Sequence, residues 1–199
     1  LQKVEECIKK QSLVTYEYEL VTDKGTNIFE ARLSPINLEK VIVLSRNVTH
    51  EKGHLELIKK LSMAVNQSPV ITLITDLEGN IEYVNPVFEK ITGYSVEDVK
   101  DGNVELLKSE KTPRSVYYTM WKTLKSGGSW HGELLNKRKD GNEYWEDIFV
   151  TPIFNAENKI TNYLAIKQDI NSRKLAEIKI NELNQSLENK VIERTSQLD

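Results

Sequence analysis

Apolar and polar positions alternate along two stretches of this chain, residues 17–31, EYELVTDKGTNIFEA, and residues 130–147, WHGELLNKRKDGNEYWED. A period of two marks a strand with one face buried. Each stretch passes through a polar run with a turn signal (Asp23-Lys24-Gly25, Asp140-Gly141) and resumes at an aromatic-glutamate pair (Phe29-Glu30, Trp145-Glu146). Both therefore predict a β-hairpin. The likeness continues downstream, where Ser34-Pro35-Ile36 matches Thr151-Pro152-Ile153. A further strand pattern follows each, VIVLSRNVTH at 41–50 and YLAIKQDINS at 163–172, and Thr49 and Asn171 are suited to capping the helix after it. Self-similarity of this length means two copies of one domain. Residues 1–50 supply only the three late strands, which predicts the C-terminal part of a domain whose earlier elements lie outside this chain.

Between the copies, Leu55, Ile58, Leu61 and Val65 keep helical spacing over about 52–66, and Pro69 prevents the helix from running on. VITLITD (70–76) and IEYVN (81–85) read as strands about the turn Leu77-Glu78-Gly79-Asn80. Short helices are expected at 86–92 and 95–100, with Asn85 capping the first, Gly93 ending it in a left-handed conformation, and Ser95 capping the second. Thr112-Pro113 opens a longer helix to about 125, ended by Gly127-Gly128. Three long antiparallel strands follow. The expected divisions are 1–50, a linker helix at 51–68, a complete domain at 69–171, and a terminal helix at 172–199.

That last segment is free of Gly and Pro, and its Ile180, Leu183, Leu187, Val191 and Leu198 step by three, four, four and seven. The spacing is close to a heptad with a stutter, which suits a parallel homodimeric coiled coil. The alternative is a helix lying on its own domain.

Composition narrows the function. With 39% hydrophobic residues, the 199-residue chain can bury one real core beside a solvated remainder. A formal charge of −3 with both signs interspersed gives no electrostatic reason to expect nucleic acid or direct contact with an anionic membrane. No apolar run approaches a membrane span and no signal-peptide pattern opens the chain, so a cytoplasmic protein is expected. The lone Cys7 fits a reducing compartment, and His50, His54 and His131 are too scattered for a metal site. No nucleophile elbow, phosphate loop or zinc-protease motif occurs. The pairs Glu97-Asp98 and Glu146-Asp147 are adjacent, which suits caps and exposed strand faces better than a catalytic couple. An enzyme is not expected within these residues.

The segment VNPVFEKITGYSVEDV (84–99) resembles the signature of PAS domains, and Asp169-Ile170-Asn171 is similar to that family's exit motif. The resemblance covers about 69–172 fully and 13–50 as a C-terminal half. It implies an α+β fold, a five-stranded antiparallel sheet wrapped by helices around a pocket. It also implies a sensory role for ligand, light or redox state, relayed to a histidine kinase or diguanylate cyclase output domain in the same polypeptide. Light-sensing members need a cysteine after a Gly-x-Asn segment, whereas Gly102-Asn103 is followed by Val104; haem-binding members need a helix histidine that 112–125 lacks.

A closer resemblance is to the FAD-binding PAS domain of nitrogen-fixation redox regulators, which implies flavin contacts from Thr112, Arg114, Trp121 and Asn136. An amide can pair with the flavin's pyrimidine edge and Trp offers a stacking face. This chain departs from that family at Val104 and Leu73, which stand where it has a glutamate and a serine. Read from the residues alone, Trp121 with Val116, Met120 and Leu124 is equally a buried helix stripe, Arg114 a solvated first-turn residue, and Asn136 a partner of strand backbone. The resemblance further implies signal transmission through Asp169, held by a basic or backbone partner, and Asn171, as N-cap of the exit helix. A cofactor-free module that dimerises and orients its neighbours is the competing function.

Overall fold

The alternation over residues 14–47 folds as a three-stranded antiparallel meander in the computed structural model, which describes residues 2–23 and 25–196. Helix α1 (Gln2–Lys10), not foreseen in the sequence, precedes β1 (Val14–Thr22), β2 (Gly25–Pro35) and β3 (Val41–Asn47). Its Cys7 packs with Val14, Ala31 and Leu33 into a small core. Helix α2 (Thr49–Asn66) follows, and the chain divides into two units between Met63 and Ala64. Thr49 does not cap α2 as expected. The Val48 carbonyl accepts the first helical bond from Lys52, while the Thr49 hydroxyl accepts from the Ile28 N–H at 2.8 Å and donates to Asn47 Oδ1 at 2.6 Å. Two partners within reach win over the helix's own N–H groups, so Thr49 ties the helix start to β2.

The second unit contains β4 (Ile71–Thr75), β5 (Ile81–Val84), α3 (Pro86–Thr92), α4 (Val96–Val99), a 3₁₀ turn at Val104–Leu107, α5 (Arg114–Lys125), β6 (Trp130–Lys137), β7 (Glu143–Phe154), β8 (Ile160–Asp169) and α6 (Asn171–Ser196). The sheet order is β5-β4-β8-β7-β6, antiparallel throughout. The three strands of the first unit pair in the same order and sense as β6, β7 and β8. Val14 faces Leu33 as Trp130 faces Val150, Pro35 faces Val41 as Pro152 faces Tyr163, and Phe29 faces Asn47 as Glu146 faces Asp169. What differs is the cover. Val43 is 50% exposed where its counterpart in the larger sheet, Ala165, is 5% exposed beneath helices.

Those helices are placed by local chemistry. Gly93 adopts φ +77°, donating to the Glu89 carbonyl and closing α3, and Ser95 and Asp98 form a reciprocal capping box at α4. Asn85 sits at the N-cap position of α3, but its side chain makes no cap bond. Its Oδ1 accepts from Thr72 N–H and its Nδ2 donates to the carbonyls of Val65 and Val70. The expected cap is thus a buried clamp that fixes where the chain enters β4. Phe88, Val99, Leu107 and Leu124 then pack on Ile71, Leu73, Leu134 and Ile148. Each such burial contributes about 1.5–3 kcal/mol. Among the described residues, no helix is long and apolar enough to cross a membrane.

Candidate ligand pocket

Strand alternation turns Trp130, Gly132, Leu134 and Asn136 of β6 toward the helices, together with Tyr144, Glu146, Ile148 and Val150 of β7 and Tyr163, Ala165 and Lys167 of β8. Helix α5 lies across them, presenting Tyr117, Met120, Trp121 and Leu124, and a cavity of about 190 Å³ remains between. Its walls are largely apolar. Trp121 stands edge-on to Tyr163 at 5.6 Å between ring centres. The Trp121 ring also abuts the β4–β5 turn, where a Cβ on Gly79 would come within 3.4 Å of it.

One end of the cavity is polar. Lys167 and Asn136 both line it, and behind them Glu146, wholly buried, gathers three donors. Asn136 Nδ2 and the Tyr144 hydroxyl each donate to it at 2.6 Å, and Lys167 Nζ lies 3.3 Å away. Charge-assisted bonds of this kind are what make a buried carboxylate tolerable. Burial, then the Glu146 charge and the hydrogen bond to it, push the Tyr144 hydroxyl far above its ordinary pKa. Because the amide N–H₂ of Asn136 faces the carboxylate, its Oδ1 is the atom left over, and it accepts no hydrogen bond from the described residues. Tyr117 also lines the cavity, but its hydroxyl is buried away from it and makes no hydrogen bond of ordinary geometry among the described residues. Burial pushes its pKa up, opposed by the nearby Thr112 hydroxyl and reinforced by the Glu146 charge.

Of the four residues expected to meet a flavin, Asn136 and Trp121 come together at the cavity, whereas Thr112 and Arg114 do not line it. Thr112 is buried and donates to the Leu135 carbonyl at 2.8 Å, tying the start of α5 to β6; Arg114 is exposed. Val104 and Leu73, the two points of departure, both line the cavity. Glu146 does not lie on an exposed strand face as its adjacency to Asp147 suggested. Neighbouring strand residues point to opposite faces, so Asp147 meets His131 in solvent while Glu146 turns inward. Counting alternate residues from Ile148 and Ala165 would have found Glu146 and Lys167, and the i, i+4 step to Trp121 would have found Tyr117.

The exit joint adjoins this polar end. Arg138 lies 4.0 Å over the Tyr144 ring, donates to the Ile91 carbonyl, and pairs with Asp169 at 2.7 Å. The other oxygen of Asp169 accepts the Asn171 N–H at 2.8 Å. Asn171 is the first helical residue of α6 and not its N-cap; the Ile170 carbonyl accepts from Lys174 N–H, and the side chain that satisfies a free N–H is Asp169. Arg173 and Lys174 both pair with Glu133 of β6, and Lys174 stands over Trp145. Farther along α6, Ile180, Leu183, Leu187 and Val191 are exposed, while Leu198 lies outside the described residues.

Comparison with known proteins agrees with this architecture. A nitrogen fixation regulatory protein of Klebsiella oxytoca is 42% identical over 106 residues, 53% of this chain and 21% of that protein. The aerotaxis receptor of Escherichia coli is 29% identical over 104 residues, 52% of this chain and 20% of the receptor. The chain thus spans about a fifth of the length of these relatives. Among solved structures, a light-oxygen-voltage domain studied with a flavin analogue superposes with a TM-score of 0.53 at 27% identity, covering 65% of this chain and 96% of that one. A PAS domain from Colwellia psychrerythraea gives 0.51 at 25% identity, covering 58% and 98%. Residues 69–172 match the PAS domain family, and with a sheet, helices and cavity of this kind the chain belongs to it.

Proposed function

We propose that residues 69–172 form a sensory module that binds a flat heterocyclic ligand, FAD being the best supported, and relays its state to α6. The observation that carries this reading is the buried Asn136 on the wall of a cavity shared with Trp121 and Lys167, its Oδ1 accepting no hydrogen bond among the described residues. A buried polar atom without a partner costs about 1–3 kcal/mol, and a ligand removes that cost. The likeness to a light-oxygen-voltage domain studied with a flavin analogue supports the same class. Asn136 would meet the ring's polar edge and Trp121 its face, and a bound flavin supplies reversible electron transfer. Thr112 supports the site through the position of α5, which its bond to the Leu135 carbonyl ties to β6.

Relay follows the contacts Glu146–Tyr144–Arg138–Asp169, which join the polar end of the cavity to the first turn of α6. The exposed stripe Ile180, Leu183, Leu187 and Val191 pairs with a second copy as a parallel coiled coil, and a kinase or cyclase output in the same polypeptide reads its geometry. Residues 1–50 are read as the C-terminal part of a first PAS unit, a reading supported by their strand order and by Pro35 and Pro152 standing alike in the middle strands. The second reading is a cofactor-free interaction module. It is favoured by the size of the cavity, below the roughly 300 Å³ of usual ligand sites, and by the exposed Phe149, Phe154 and Ile166 on β7 and β8.

Absorbance of protein purified from flavin-rich medium separates the two. Flavin bands that survive Arg114→Ala and disappear in Trp121→Ala support the sensory reading; a colourless protein that also fails to take up added FAD leaves the interaction module.

A further inference from the structure

Helix α2 opens with His50-Glu51-Lys52-Gly53-His54, the His-Glu-x-x-His spacing of zinc proteases, which corrects the expectation that no such motif occurs. Nor are these two histidines scattered in the fold. An interval of four places both on one face of a helix, and their exposed rings stand 4.0 Å apart between centres. The direction of that face is fixed by the first turn. The Thr49 hydroxyl accepts the Ile28 N–H of β2, and Lys52 pairs with Glu17 of β1, so the side carrying these two residues meets the small sheet. At 3.6 residues per turn, His50 and His54 fall on the side turned away from it. Ile58 and Leu61 follow on the same side, 62% and 58% exposed.

Two imidazoles held side by side at this spacing can share one metal ion. A catalytic zinc of the protease kind takes a third protein ligand, and no third His, Cys, Asp or Glu joins this pair among the described residues. The pair therefore supplies half of a closed tetrahedral shell. A second copy related by a two-fold axis presents the same two imidazoles and supplies the other half.

We propose that His50 and His54 of two copies together form a tetrahedral four-imidazole site for a divalent transition-metal ion, zinc being the type, with one ion held between two chains. Imidazole suits zinc, copper and nickel, whereas magnesium and calcium take oxygen ligands, so the site selects the former class. Ile58 and Leu61 follow His54 at steps of four and three, the spacing of a coiled-coil seam, so the approach that completes the metal shell also covers apolar groups of both copies. The site is independent of any ligand in the cavity of the second unit.

The test is a calorimetric titration of Zn²⁺ alone onto the untagged full chain, stripped beforehand with a chelator, with Mg²⁺ as the control cation. Co²⁺ titrated in parallel reports geometry through its visible absorption, which is intense only in a tetrahedral shell. The variants are His50→Gln/His54→Gln, at exposed positions, and His131→Gln, each checked for a native unfolding transition. The expected result is saturation at one Zn²⁺ per two chains, a tetrahedral Co²⁺ band and no uptake of Mg²⁺. His131→Gln should leave these unchanged. The double variant should bind at least about tenfold more weakly, since even the outer partners of a metal ligand are worth that much. Stoichiometry reads the site whether or not α6 already pairs the chains. Saturation at one ion per chain, binding kept by the double variant, or no uptake of zinc overturns the proposal.

Discussion

Lys167→Met tests whether the buried ion pair exists as described. Glu146 is wholly buried and Lys167 is 6% exposed, so removing the ammonium strands a carboxylate away from water. Breaking one side of a buried pair costs about 3–5 kcal/mol. The two short bonds from Asn136 and Tyr144 remain, so the lower end, about 3 kcal/mol, is expected, or roughly 10 °C in Tm for a unit of this size. The double variant Lys167→Met/Glu146→Gln removes the stranded charge and should return to within about 1–2 kcal/mol of the native protein. Trp121, Trp130 and Trp145 all belong to the second unit, so guanidinium unfolding followed by Trp fluorescence reports on it without interference from the first. A single variant that costs under about 1 kcal/mol, or a double variant no better than the single, would refute the pairing.

Asp169→Ala should cost about 1–2 kcal/mol and fray the first turn of α6, because it loses both the Arg138 pair and the bond to the Asn171 N–H. Asn171→Ala should change helix content and stability by less than about 0.5 kcal/mol, as its side chain holds no cap; circular dichroism on the two variants compares them. Asn85→Ala should cost about 2–3 kcal/mol in the same unfolding assay, since three partly buried backbone groups lose their partner; a loss near that of an ordinary surface substitution would remove the clamp. The Lys139 ammonium beside Asp98, with the capping bonds from Ser95, lowers the Asp98 carboxyl from 3.8 to about 2. A lowered folded-state pKa stabilises above the unfolded value and ceases to do so as pH falls through the folded one. The Tm difference between native protein and Asp98→Asn should therefore be constant above about pH 4 and shrink toward pH 2; a pH-independent difference would exclude the linkage.

The strands and the order of elements were legible because a period of two, Gly and Pro act through near neighbours in the chain. Gly93 and Ser95 took the conformations their local chemistry demands. Asn85, Thr49 and Asn171 were misread for one shared reason. Each stands beside a helix start, but what the local pattern omits is the competing partner brought by the fold, such as the Val65 and Val70 carbonyls at Asn85 and the Asp169 carboxylate at Asn171. Glu146 was hidden differently. A charged pair in sequence looks solvated, and only its parity with Tyr144 and Ile148 shows that one of the two carboxylates must be buried. Arg114 and Thr112 show the converse, that a motif resemblance locates a helix start without deciding which of its side chains reach the cavity.

Backbone hydrogen exchange on the full chain, with and without saturating FAD, tests the central claim that the cavity is a ligand site coupled to the exit helix. The account predicts slower exchange in two places at once: around Tyr117 and Trp121 of α5, and at Asn171–Lys174, where the Asp169 carboxylate and the Ile170 carbonyl hold the first turn of α6. Protection confined to α5 would contradict the coupling, and unchanged exchange at both places would contradict the ligand site itself.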